Sequence, residues 1–244
     1  MTGRQARGRT AEIVGVFTLV MVSLVVILSL RADLPTTPPV MSDALGPENG
    51  ERVDDYLPRA AATLDASDDD PRWALVTAGW AWSVPEAAGV VRELPRVSGI
   101  YVQVPVDGVA MPVTGVTLPE PVAGETSREP VLERGLEQVI TRLEAAGGQG
   151  TADPPTPAPP DPDRAAATAA LTVARIRGGE PAIIGLLARG TPAELRAVAD
   201  QPWVRAVEAL PADAVWQRFA VRPLQPQQAE AALPLPDDGP LPPA

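Results

Sequence analysis

Residues 13–30 form an unbroken run of 18 uncharged positions, mostly Val, Leu and Ile, relieved by Gly15, Thr18, Ser23 and Ser29. As a helix rising about 1.5 Å per residue, the run spans roughly 27 Å, close to the hydrocarbon thickness of a bilayer. Downstream the pattern changes to short apolar stretches broken by Pro, Gly and acids. Two of these stretches repeat one another. Ala74-Leu75-Val76-Thr77 leads to Ser83-Val84-Pro85-Glu86, and Ala182-Ile183-Ile184-Gly185 leads to Thr191-Pro192-Ala193-Glu194, with the same nine-residue spacing. Ser or Thr followed three residues later by Glu is a capping box, and Pro suits a first turn whose N–H groups lack helical partners.

Each box predicts a short helix, stopped before Pro95 or Pro202, and then a second strand, residues 97–106 or 204–210. Each unit therefore reads strand, helix, strand, and a right-handed crossover makes its two strands parallel in one sheet. Two such units, residues 72–106 and 180–211, predict an α+β, ferredoxin-like plait over residues 72–221. Between them Asp107-Gly108, flanked by alternating apolar residues, signals a hairpin and an extra strand. A helix follows from about Pro130 to Ala146 on the stripe Leu132, Leu136, Val139, Ile140 and Leu143, and an Ala-rich helix begins at Asp161-Pro162. Residues 147–163 hold six prolines and read as an unpacked linker.

The run at 13–30 decides the topology. Arg4, Arg7 and Arg9 precede it and acids predominate after it, so positive charge holds residues 1–11 in the cytoplasm. Residues 12–32 are then a transmembrane signal anchor. A cleaved signal peptide is the rival, but its apolar region is shorter and residues 29–33 contain no Ala-x-Ala-like pair. Residues 33–71 read as an acidic, Pro-containing spacer with one short helix on Val53, Leu57, Ala61 and Leu64, and residues 222–244, with seven prolines, as a disordered tail.

Composition narrows the chemistry. The chain of 244 residues carries a formal −11, has no Cys and no His, and all 20 basic residues are Arg. Thiolate and imidazole metal ligands, Cys nucleophiles, Ser-His-Asp relays and Schiff-base lysines are all excluded. Beyond Ala32, 30 acids face 16 arginines, a net −14 that opposes nucleic acid as a partner. No catalytic, cofactor or metal residues are expected, and the acidic run Asp65-Ala66-Ser67-Asp68-Asp69-Asp70 fails the calcium-loop pattern at its sixth and twelfth positions. Glu86, Glu93, Glu194 and Glu208 have simpler roles as caps or on solvated faces.

Trp80 and Trp82 are the candidate partner-binding residues. They stand two apart after the first strand of the plait, whereas the equivalent positions of the second unit are Ala188 and Gly190, so the repeat does not require indoles there. Trp73, Trp203 and Trp216 read as core or core-edge residues.

Arg without Lys, heavy Ala and Pro usage, and segments such as RWALVTAGWAW and PAELRAVADQPWVRAVEALP resemble uncharacterised single-pass envelope proteins of high-GC Gram-positive, actinobacterial-type bacteria. The second unit also resembles the subtilisin-propeptide type of plait in its Val204-Arg205-Ala206-Val207-Glu208. The expected function is a non-enzymatic, membrane-tethered, extracytoplasmic adaptor that docks onto another envelope protein. The alternative is a sensory or small-ligand-binding domain using the open sheet face.

Overall fold

The computed structural model describes residues 43–119, 127–148 and 161–243. Among these, five helices and two sheets form a mixed α/β fold. No described helix is long and apolar enough to cross a membrane; the run at 13–30, the residues 1–11 expected in the cytoplasm and most of the expected Pro-rich linker lie outside the described residues.

The main sheet contains β2 (Arg72–Trp82), β3 (Arg96–Val102), β4 (Thr114–Thr117), β5 (Ile183–Gly190) and β6 (Val204–Ala209), in the order β4-β3-β5-β2-β6. Every neighbouring pair is antiparallel. Because β2 and β3 both run against β5, they are parallel to each other with β5 between them. The same relation holds for β5 and β6 across β2, so the two strand-helix-strand units interleave instead of lying side by side. The hairpin signal is realised as a turn in which Gly108 has φ 69°, and β4 then pairs with β3 from Thr114 opposite Val102.

Both predicted capping boxes form. At α5 (Pro192–Ala199) the Glu194 amide donates to Thr191 Oγ1 at 3.3 Å, while the Thr191 amide donates to Glu194 Oε2 at 2.8 Å. At α2 (Val84–Val90) the Ser83 amide donates to Glu86 Oε2 at 2.7 Å. The hydroxyl of Ser83 donates to the same carboxylate and holds its pKa below the usual range. The connecting helices are α3 (Glu129–Gly148) and α4 (Pro162–Arg177), the latter capped by Asp161 Oδ1, which accepts from the Arg164 amide at 3.0 Å.

Strand alternation splits the core in two. Ala74, Val76 and Ala78 of β2 point to one face, where they join Ile100, Leu186, Val207, Leu195 and the apolar stripes of α3 and α4. Trp73 and Leu75 point to the other face and meet Leu187, Leu210, Leu45 and Phe219. The last two residues belong to a second, two-stranded parallel sheet, β1 (Asp43–Leu45) with β7 (Phe219–Val221). Beside it, α1 (Val53–Ala62) buries Val53, Tyr56 and Ala60 against Ala206, Leu224 and Ala232.

Two expectations are therefore corrected. Residues 43–64 of the expected spacer and residues 222–232 of the expected disordered tail pack together over the face that was read as open. The physical reason is that a sheet strand apolar on both sides exposes Trp73 and Leu75 unless something covers them, and the chain ends carry the needed Leu45, Tyr56 and Leu224, all 1% exposed or less. The join is close. Gly46 has φ 101°, and a Cβ there would lie 1.7 Å from the Arg222 carbonyl oxygen, so no other residue fits.

Candidate interaction surface

The expected indole pair is not a pair. Trp82 is fully buried in the helix-covered core, while Trp80 is 50% exposed. The register of β2 shifts after Thr77 against both of its neighbours, and this irregularity breaks the simple alternation that would have put residues 80 and 82 on the same side. Trp82 therefore has no surface to offer a partner.

The structure supplies a different companion. Trp203, expected in the core or at its edge, is 42% exposed, and its carbonyl accepts from the Gly79 amide at 3.0 Å. The backbones carrying Trp80 and Trp203 are thus adjacent at one corner of the sheet, where β6 begins beside the end of β2. Gln201 Oε1 accepts from Trp203 Nε1 at 2.9 Å, and Gln201 in turn donates to the Val90 carbonyl, which links the indole to the end of α2. Trp73 keeps its expected place. It lies 4.4 Å from the ring of the half-buried Trp216, and the guanidinium groups of Arg96 and Arg189 sit 5.6 and 5.5 Å from its own ring.

Sequence reasoning missed the polar centre beneath the chain ends. Glu208, assigned to a cap or solvated face, is 3% exposed on β6. Its carboxylate accepts from Arg59 Nη1 at 2.6 Å, from the Gly46 amide at 2.5 Å and from the Tyr56 hydroxyl at 3.4 Å. Arg59 also donates to both oxygens of Glu51 at 2.9 Å, which lowers the Glu51 pKa and raises its own. Burial, aided by the Glu208 charge, raises the Tyr56 pKa. A single carboxylate thus ties α1 and the turn after β1 to the edge strand. The one signal in the sequence was an acid inside an apolar strand, Val204-Arg205-Ala206-Val207-Glu208.

The edge of β6 is closed by the same segment. The Ala209 amide donates to Thr63 Oγ1 at 2.8 Å, which occupies one donor of that edge. Of the acidic run, Asp68 accepts from Arg72 Nη2 at 2.7 Å and from the Asp70 amide at 3.1 Å, contacts that lower its pKa. Among the described residues no group of acids is arranged to hold a metal ion. Glu93 pairs with Arg92 on the exposed surface. A cavity of about 110 Å³ lined by Arg96, Ser98, Leu118 and Arg128 lies at the opposite edge, well below the roughly 300 Å³ that a small-molecule site occupies.

The chain matches no family model, no curated protein and no solved structure.

Proposed function

We propose that the chain is a membrane-tethered, extracytoplasmic interaction protein of the cell envelope, non-enzymatic, built on a ferredoxin-like plait. The plait reading is supported by the order β3-β5-β2-β6, which places the first strands of both units at the centre and their second strands outside. The tether reading is supported by the uncharged run at 13–30, the three arginines before it and the net acidity after it.

The observation that carries the interaction reading is the corner at which Trp80 and Trp203 leave large indole surfaces in water. Aromatic residues of this kind dominate interface hot spots, because a rigid apolar ring gains much on burial and loses little entropy. Crosslinking followed by pull-down from membranes tests it. Recovery of a heterologous envelope protein that is lost in the Trp80→Ala, Trp203→Ala double variant is the expected result, and recovery of the monomer alone from the wild-type chain overturns it. Orientation is checked separately by adding protease to intact protoplasts, where residues 43–243 should be digestible; a protected folded domain reverses the topology.

A further inference from the structure

The last ten described residues form neither helix nor strand, yet they are held at one place by a dense set of specific contacts. Asp237 Oδ1 accepts from Arg164 Nε at 2.9 Å and from the Ala110 amide at 3.1 Å. Two residues on, the Gly239 amide donates to the Gly108 carbonyl at 2.8 Å, and the Gly239 carbonyl accepts from Arg164 Nη2 at 2.9 Å. Another two residues on, Leu241 is half-buried and packs against the helix-covered core. A Cβ on Gly239 would lie 2.7 Å from the Gly108 oxygen, so the middle position admits glycine alone.

These contacts read, at every second residue, a segment that bends at Gly239: an acid for the guanidinium, a glycine for the close backbone approach, and an aliphatic anchor. The seat is made of the turn at Asp107-Gly108 and the first turn of α4, each with a local bond of its own: the Val109 amide donates to the Val106 carbonyl at 3.3 Å, and the Arg164 amide to Asp161 Oδ1 at 3.0 Å. The segment itself is shallowly bound, since no residue from 233 to 243 is fully buried and Leu233, just before it, is 55% exposed. It can therefore leave without exposing a buried residue of its own, while Ala232 and Leu224 stay anchored under α1.

We infer that the corner formed by the turn at 107–110 and Arg164 is a recognition site for an Asp-x-Gly-x-Leu segment, closed in a lone chain by its own tail and filled by the tail of a second copy when chains are crowded. The second copy is the occupant whose chemistry matches by construction, and exchange of identical segments preserves every contact. In a lone chain the tethered tail faces the seat at an effective concentration in the millimolar range, so exchange becomes appreciable as the local density of chains approaches that value. The site involves neither Trp80 nor Trp203, and it stands or falls independently of the partner proposed there.

The test uses two complementary chains, one truncated after residue 233, with an empty seat, and one full-length chain carrying Arg164→Ala, with a damaged seat but an intact tail. The first should bind a synthetic peptide of residues 234–243 saturably by fluorescence anisotropy. Arg164→Ala placed in that chain should weaken binding by about tenfold or more, the scale of a charge-assisted hydrogen-bond pair, and a peptide with Gly239→Ala should not bind. Mixing the two complementary chains should give a 1:1 heterodimer that neither forms alone. Absence of peptide binding by a truncated chain with wild-type circular dichroism overturns the site, and binding without heterodimer formation overturns the second-copy occupant. If the truncated chain fails to fold, amide exchange in the full-length Arg164→Ala variant decides: faster exchange at Gly239 is expected, and unchanged protection overturns the inference.

Discussion

The two faces of the main sheet are covered in different ways. One face is packed by helices that lie within the repeat or between its halves, and its contacts are almost wholly apolar: Ala74, Val76, Ile100, Leu186 and Leu195 at 0% exposure. The other face is covered by segments drawn from the two ends of the chain, and aliphatic contacts there are interleaved with the Glu208-Arg59-Glu51 network and with the arginines over Trp73. The difference follows from how each layer is brought into place. A helix within a strand-helix-strand unit reaches its face through a short connection, so nonspecific burial suffices to hold it. The segment around α1 must find its register against β6, 149 to 162 residues away in sequence, and the directional bonds that a buried carboxylate accepts from a backbone amide and a guanidinium specify that register.

The sharpest test of this comparison is Trp82→Ala on the helix-covered face. Deleting a fully buried indole from a packed core should cost about 3–5 kcal/mol. Trp80→Ala, two residues away and half exposed, should stay within about 0.5 kcal/mol by urea denaturation. Equal effects would mean that the break in β2 register does not separate the two rings as described.

On the other face, Glu208→Gln should cost about 2 kcal/mol, because it weakens bonds from a guanidinium, an amide and a hydroxyl while keeping the volume. A double-mutant cycle with Arg59→Met should show coupling, whereas additivity would remove the network from the account of how the chain ends are held. Thr191→Ala, which opens the capping box of α5, should cost about 1 kcal/mol, a local loss with no effect on the chain ends.

The smallest effect is electrostatic. The Arg59 hydrogen bonds hold the Glu51 pKa below its ordinary 4.5. A carboxylate of lowered pKa contributes stability that is complete above its unfolded value and disappears as pH falls through the folded one. Wild type should therefore exceed Glu51→Gln in melting temperature at about pH 6, and the gap should close towards about pH 3. The partner Arg59 is 43% exposed, so solvent screening keeps the gap below about 1 kcal/mol. A gap that widens with acid would reverse the assigned sign.

Much of the helix-covered face could be read in advance. The two capping boxes, the Asp107-Gly108 turn, the stripe of α3 and the Asp161 cap are local signals whose physics acts within a few residues, and each is found where its pattern placed it. The covering of the other face was misread for an equally physical reason. Proline and acid content in residues 33–71 and 222–244 argued for unpacked chain, yet composition says nothing about a few apolar side chains that find a distant partner. Of the expected stripe of α1, Val53 and Leu64 are buried and Leu57 is partly buried, whereas Ala61 is exposed and Tyr56 and Ala60, outside the stripe, are buried. The Trp80 and Trp82 reading failed on a shift of strand register, which residue spacing alone does not reveal.

By itself, then, the sequence determined the two strand-helix-strand units, their caps and turns, and the exclusion of thiol, imidazole and amine chemistry, because each depends on residue identity or on contacts close along the chain. Tertiary structure alone decided that Glu208 is buried, that Trp203 rather than Trp82 accompanies Trp80 at the surface, that both chain ends close the second face, and that Asp237, Gly239 and Leu241 meet Arg164 and Gly108. All four depend on pairings across roughly 75 to 180 residues. Such a pairing is chosen by the total burial and bonding of the assembled fold, and no local window contains both partners.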